Sequence, residues 1–167
     1  MAGSAKINVI VEALLTGTVD IGTVQHDVKY GPGFSWGDGT GLDSINQIWS
    51  DTRTLAASAT EDLDLSGSLT NAIGTSVAFT KIRGIMVRAA VANTNNVIVG
   101  GASATQFVAW CGGATHTVTV RPGGMLLLLA PDATAYAVSG GSTDLLKIAN
   151  SSSGSSVSYD ILLLGSQ

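Results

Sequence analysis

Apolar and polar residues alternate with a period of two along most of the chain, the spacing that lines one face of a β-strand. Ile7, Val9 and Val11 alternate with Asn8 and Ile10 near the start. Val118 and Val120 alternate with Thr117, Thr119 and Arg121 ahead of Pro122-Gly123-Gly124, and Val157, Tyr159 and Ile161 alternate with Ser156, Ser158 and Asp160 near the end. Between them, residues 79–91, 96–99, 105–111, 124–130, 135–139 and 145–148 read as further short strands, each closed by Gly, Asn, Pro or Ser. Turn signals this frequent, about 8 to 12 residues apart, predict an all-β sandwich or barrel and not βαβ units. No stretch carries a sustained helical stripe, and the nearest candidate, residues 52–60, is too small and polar to hold a helix by packing. Two strands, residues 125–129 and 161–164, are apolar at every position. They are expected to be central strands covered on both sides, or strands covered by another subunit.

The pattern changes near Asp51. Residues 51–167 carry strands at regular intervals, enough for an antiparallel β-sandwich of jelly-roll type with eight strands in two sheets. Residues 1–50 read as an extended N-terminal arm with a Gly-Pro-Gly stretch at Gly31 to Gly33 and a glycine-rich loop from Trp36 to Asp43. The arm holds too few apolar residues for a core of its own, so Trp36, Ile45, Ile48 and Trp49 are expected to pack on the sandwich or on a neighbour. Deleting the arm is expected to leave the sandwich folded and weaken assembly.

Composition narrows the function. Of 167 residues only 12% are charged, where about 25% is typical, and the net charge is -4. With 45% hydrophobic residues and a mean hydropathy of +0.36, the chain is not of the disordered class. Its 8 basic residues are scattered, unlike the clusters that neutralise phosphates, so no nucleic-acid partner is expected. The longest apolar run, residues 125–130, is far short of the roughly 18 residues needed to cross a bilayer, so no membrane partner is expected. The N-terminus shows no signal-peptide pattern, which points to synthesis in the cytoplasm. Cys111 is the only cysteine, so neither an intramolecular disulfide nor a Cys-based zinc site can form within one chain. It reads as a small buried hydrophobe, a nucleophilic role requiring a nearby base.

Candidate chemistry is sparse. His26 and His116 are the only groups suited to acid–base work near neutrality, and no G-x-S-x-G elbow accompanies them. Asp62 and Asp64 would lie on one strand face about 7 Å apart, a spacing that could hold Ca²⁺ if carbonyls joined in. The segment from Asp38 to Asp43 lacks the register and closing Glu of a calcium loop. The reading is therefore of a protein without catalytic residue, metal or cofactor. Trp36, Trp49 and Trp110 with Tyr30, Tyr136 and Tyr159 could stack on a sugar, but large aromatics are also preferred interface anchors. Trp110 is assigned to the core. The candidate partner-binding residues are Trp36 and Trp49 in the arm, with Arg83, Arg88 and Arg121, whose planar forks suit carboxylates.

The stretch DTRTLAASATEDLDLSGSL from Asp51 to Leu69 is followed by NAIGTSVAFTKIRGIMVRAA, NTNNVIVGG, VRPGGMLLLLAPD, LLKIAN and SVSYDILLLG. Over Asp51 to Gly165 this order of segments resembles small structural proteins of tailed bacteriophages. The resemblance implies a virion component without enzyme activity, a capsid decoration (cement) protein that binds the major capsid protein on the outer head surface and stabilises it. It also implies a homo-oligomer, a trimer of β-sandwiches, located on the virion. The alternative it leaves is a tail-fibre, tail-tip or head-fibre attachment module that recognises a host glycan or receptor.

Overall fold

A computed structural model describes residues 3–102 and 104–167. Sixteen strands account for its regular structure, and no helix occurs among the described residues. The first five are β1 (Ala5–Asn8), β2 (Val11–Thr18), β3 (Thr23–Tyr30), β4 (Gly33–Asp38) and β5 (Ser44–Ile45). Then come β6 (Gln47–Leu55), β7 (Thr60–Asp64), β8 (Leu69–Thr70), β9 (Ser76–Val77), β10 (Lys81–Ala89) and β11 (Val97–Gly100). The last are β12 (Thr117–Val120), β13 (Met125–Leu129), β14 (Tyr136–Ala137), β15 (Leu145–Asn150) and β16 (Val157–Ser166).

Eight of these strands build an antiparallel β-sandwich. One sheet has the order β13-β10-β16-β6, with β14 added to β10, and the other has the order β12-β11-β15-β7. The period-two pattern explains the packing, since alternate residues of β10 (Ile85, Val87, Ala89) and β16 (Val157, Tyr159, Ile161, Leu163) point into one core. There they meet Val97 and Val99 of β11, Leu146 and Ile148 of β15, and Leu63 of β7. Burial of each such side chain is worth about 1.5–3 kcal/mol. At the rim of this core Arg53 of β6 donates from Nε to Glu61 Oε2 of β7 at 2.7 Å, and the Tyr159 hydroxyl of β16 also donates to Glu61. One carboxylate thus ties the two sheets together.

The apolar run 105–111 is not a strand. Only Gln106 bridges to Leu145, and the chain then turns, with Cys111 N and Gly112 N both bonded to the carbonyl of Val108. Gly112, at φ 82, takes a left-handed conformation that an extended strand excludes. Cys111 is half-buried there. Strand β13 lies at a sheet edge and β16 is interior.

Residues 1–50 hold more regular structure than a glycine-rich loop would. Ala5 pairs Trp36 and Asn8 pairs Gly33, Val9 N donates to Pro32 O at 3.0 Å, and the pairing resumes from Val11 with Tyr30 to Thr18 with Thr23. Each step along one strand is matched by one along the other, so β1–β2 and β3–β4 form a single long ribbon. Its ladder is interrupted at Pro32, which has no N–H to donate. It closes at Asp20-Ile21-Gly22, where Gly22 at φ 102 takes the conformation a tight turn requires. The division expected at residue 51 lies inside β6, which pairs with β16 continuously from Gln47–Gly165 to Leu55–Val157. Removing residues 1–50 would cut a sandwich strand in half, so that deletion does not isolate a folded domain.

Candidate interaction surface

The outer face of the five-stranded sheet is organised in rows across its strands. One row is Leu129, Gly84, Leu164 and Ile48, the next is Leu127, Met86, Leu162 and Ser50, and the third is Met125, Arg88, Asp160 and Thr52. Two rows of aliphatic residues on the outside of a sandwich need a cover, because a sheet with one wet face alternates polar and apolar positions.

The root of the ribbon covers the first row. Ala5 and Ile7 of β1 and Phe34 and Trp36 of β4 share the ribbon face that packs with Ile45, Leu164, Ile48 and Leu129, while Lys6, Asn8 and Ser35 on the opposite face are exposed. Phe34 and Trp36 stack with ring centroids 6.2 Å apart. Gly84 leaves room in this row, since a Cβ there would come within 3.2 Å of Leu164. The second row is only half-covered, and Met125 at the start of the third is 55% exposed.

Beyond Pro32 the same ribbon face continues with nothing beneath it. It presents Val11, Ala13, Leu15 and Gly17 from β2 with Val24, His26, Val28 and Tyr30 from β3, all exposed. Leu15 is 70% and Tyr30 65% exposed. The opposite face carries Glu12, Leu14, Thr16 and Thr18 with Thr23, Gln25, Asp27 and Lys29, so that it is polar but for Leu14, and there Lys29 pairs with Asp27 at 3.1 Å. Neither β2 nor β3 pairs with any strand except the other. A two-stranded hairpin alone is marginally stable in water, and bare apolar faces of this kind mark interaction sites. In the sequence His26 and Tyr30 stand out only as acid–base and stacking candidates, although the alternation of Val24, His26, Val28 and Tyr30 is the visible signal of this face.

The five candidate contact residues divide. Arg88 and Arg121 are exposed, Arg88 lying opposite Asp160 and Met125 on the outer face. Trp36, Trp49 and Arg83 are buried, so as placed they offer no surface to a partner. Trp49 sits in the main core and donates from Nε1 to Thr70 O at 3.2 Å. Arg83 is the extra residue of a bulge in β10, and its side chain turns to the carbonyls of Gly41, at 2.6 Å, and Asp132. It therefore clasps the β4–β5 loop of the arm to the β13–β14 loop of the sandwich. Trp110 packs against the core, half-buried.

The acidic candidates serve loops. Asp64 Oδ1 accepts from Ser66 N at 2.8 Å, and the Ser66 hydroxyl lies 2.8 Å from Asp64 and 2.9 Å from Asp144. Asp144 Oδ2 also accepts from Gly141 N at 2.6 Å. Burial raises the Asp144 carboxyl's affinity for a proton, but the Gly141 amide and the Ser66 hydroxyl outweigh it and hold the group below the usual carboxylate range. Asp62 is exposed opposite Lys147. No group of three or more His, Cys, Asp or Glu suited to a metal occurs among the described residues. His26 lies on the bare hairpin face and His116 Nδ1 contacts Cys111 O at 2.8 Å. The Asp38–Asp43 segment is closed by Gly37 N bonding to Asp43 O at 2.9 Å.

Comparison with known proteins adds nothing to this geometry: no protein family, no curated protein and no solved structure matches the chain.

Proposed function

We propose that the protein is a non-enzymatic structural component of a tailed-phage virion, a decoration protein that binds the outer surface of the head as a homo-oligomer and stabilises the shell. The observation that carries this reading is the ribbon, whose distal half presents an apolar face that its own sandwich leaves uncovered. An arm built this way gains stability by seating on another molecule, which suits a component that holds neighbouring subunits of a shell together. Two further features support it. Numbered one to eight in chain order, the sandwich strands fall into sheets ordered 6-3-8-1 and 5-4-7-2, the arrangement of two intertwined Greek keys in a jelly roll. The order of segments that resembles phage structural proteins maps onto this sandwich, while the charge-poor surface suits shape-matched contact.

Mixing the purified protein with heads of its own phage that lack it tests the proposal. Co-sedimentation with the heads and a raised temperature of DNA release are expected. Failure to bind heads, with binding to host cells instead, would overturn decoration in favour of the attachment module.

A further inference from the structure

The bare half of the ribbon and the uncovered rows of the sheet have matching chemistry, and each copy of the chain carries both. We infer that the distal hairpin is an exchange arm, whose apolar face seats on the outer face of the five-stranded sheet of a second copy of this chain. This deepens the reading of the protein as a self-associating virion component and rests on it.

Continuity is the first argument. Within one chain the root of the ribbon shows what this face packs against, namely the aliphatic row Leu129, Leu164 and Ile48 together with Leu162 at the near edge of the next row. The adjoining row of Leu127, Met86 and Leu162 offers the same kind of surface, half-covered, one step further along the same strands. Within one chain the hairpin is not folded back onto it: Gly33 and Phe34 at the root lie beside Pro131, just past β13, and every residue of β2 and β3 is exposed.

Charge is the second argument. No Asp, Glu, Lys or Arg occurs on the apolar hairpin face or in the second row, and in the third row, beside Met125, Arg88 lies opposite Asp160, so the contact leaves no uncompensated formal charge. The charged residues of β2 and β3, Glu12, Asp27 and Lys29, lie on the face turned away, and Asp20 sits in the closing turn.

Area is the third. The eight paired positions of the distal hairpin span about 27 Å, and two strands about 10 Å wide give a face of roughly 270 Å². One seated arm thus covers roughly 540 Å² over both surfaces, below the roughly 1,000 Å² that a stable interface needs. Two arms exchanged reciprocally in one two-fold interface reach roughly 1,080 Å², and in a three-fold ring each copy is held through two such contacts, again roughly 1,080 Å² per copy. The area therefore favours a symmetric assembly in which every copy both gives and receives an arm.

The full-length chain with Leu15→Glu and Val28→Glu together tests this by sedimentation velocity. An unchanged melting temperature would show that the sandwich remains folded, and a dissociation constant raised at least about tenfold is expected. A second measurement places the contact. Leu15→Cys and Met125→Cys copies, each also carrying Cys111→Ser, are mixed and gently oxidised, and a disulfide between unlike copies is expected. Retained assembly in the double-Glu variant, disulfides formed only between two Leu15→Cys copies, or a wild-type protein that stays monomeric would each overturn the exchange. The head-binding reading is judged separately: an assembly that exchanges arms but ignores heads defeats that reading alone. One that binds heads without exchanging arms defeats only the arm proposal.

Discussion

Arg83 is a fully buried cation held by carbonyls, with its Nε unpartnered among the described residues. Arg83→Met would leave the carbonyls of Gly41 and Asp132 without their donors, at about 1–3 kcal/mol each. A loss of about 2–6 kcal/mol in chemical denaturation is expected, together with faster proteolysis in the Gly39–Asp43 loop. Tyr159 makes a different prediction. Burial and the neighbouring Glu61 carboxylate both disfavour its ionised form and raise its pKa well above the ordinary value near 10. The folded state holds that proton more tightly than the unfolded chain does, so the stability it supplies is complete below about pH 10 and is lost as pH rises further. Tyr159→Phe should lower the melting temperature at pH 7 and flatten its decline above pH 10. Asp144 has the opposite sign. Its lowered pKa supplies stability above about pH 4 that is lost as pH falls, and Asp144→Asn should show a shallower acid limb in melting temperature against pH. Asn93, at the head of the NTNN segment, proves to be a strand mimic. Asn93 both donates to Ser158 O, at 2.8 Å, and accepts from Ser158 N, at 2.9 Å, extending the sheet through a side chain.

At the scale of elements, the close approach of β10 and β16 depends on small residues. A Cβ on Gly165 would sit 2.1 Å from Lys81 O and 2.8 Å from Phe79. Backbone cannot yield that far, so Gly165→Ala should cost at least about 3 kcal/mol, measurable as a fall in the denaturation midpoint. The sandwich strands were legible because their alternation is regular and Gly, Pro or Asn ends each one. Residues 105–111 misled because apolar content there serves buried turns, with Phe107 inserted into the core. The ribbon was hidden for the converse reason. Leu14 and Leu15 sit side by side and Gly17 follows, which breaks the period in β2, while Gly31-Pro32-Gly33 looks like a terminus to strand structure. Trp36 and Trp49 were expected to pack either on the sandwich or on a neighbour, and they pack within the chain, whereas burial of Arg83 was not legible, since it arises from a bulge and from register between segments far apart in sequence.

At the scale of the molecule, the sandwich and the distal hairpin are separable. Replacing residues 10–31 with a short turn should keep the root and all of β6, leave the melting temperature within a few degrees, and abolish assembly. The continuous register of the ribbon also makes it a ruler. Adding two residues to each strand would lengthen the arm by about 7 Å and keep the same side chains on the same side, whereas adding one to each would invert every position beyond the insertion. Reach can thus change only in steps of about 7 Å if the apolar face is to stay on its own side, so that hairpin length is quantised.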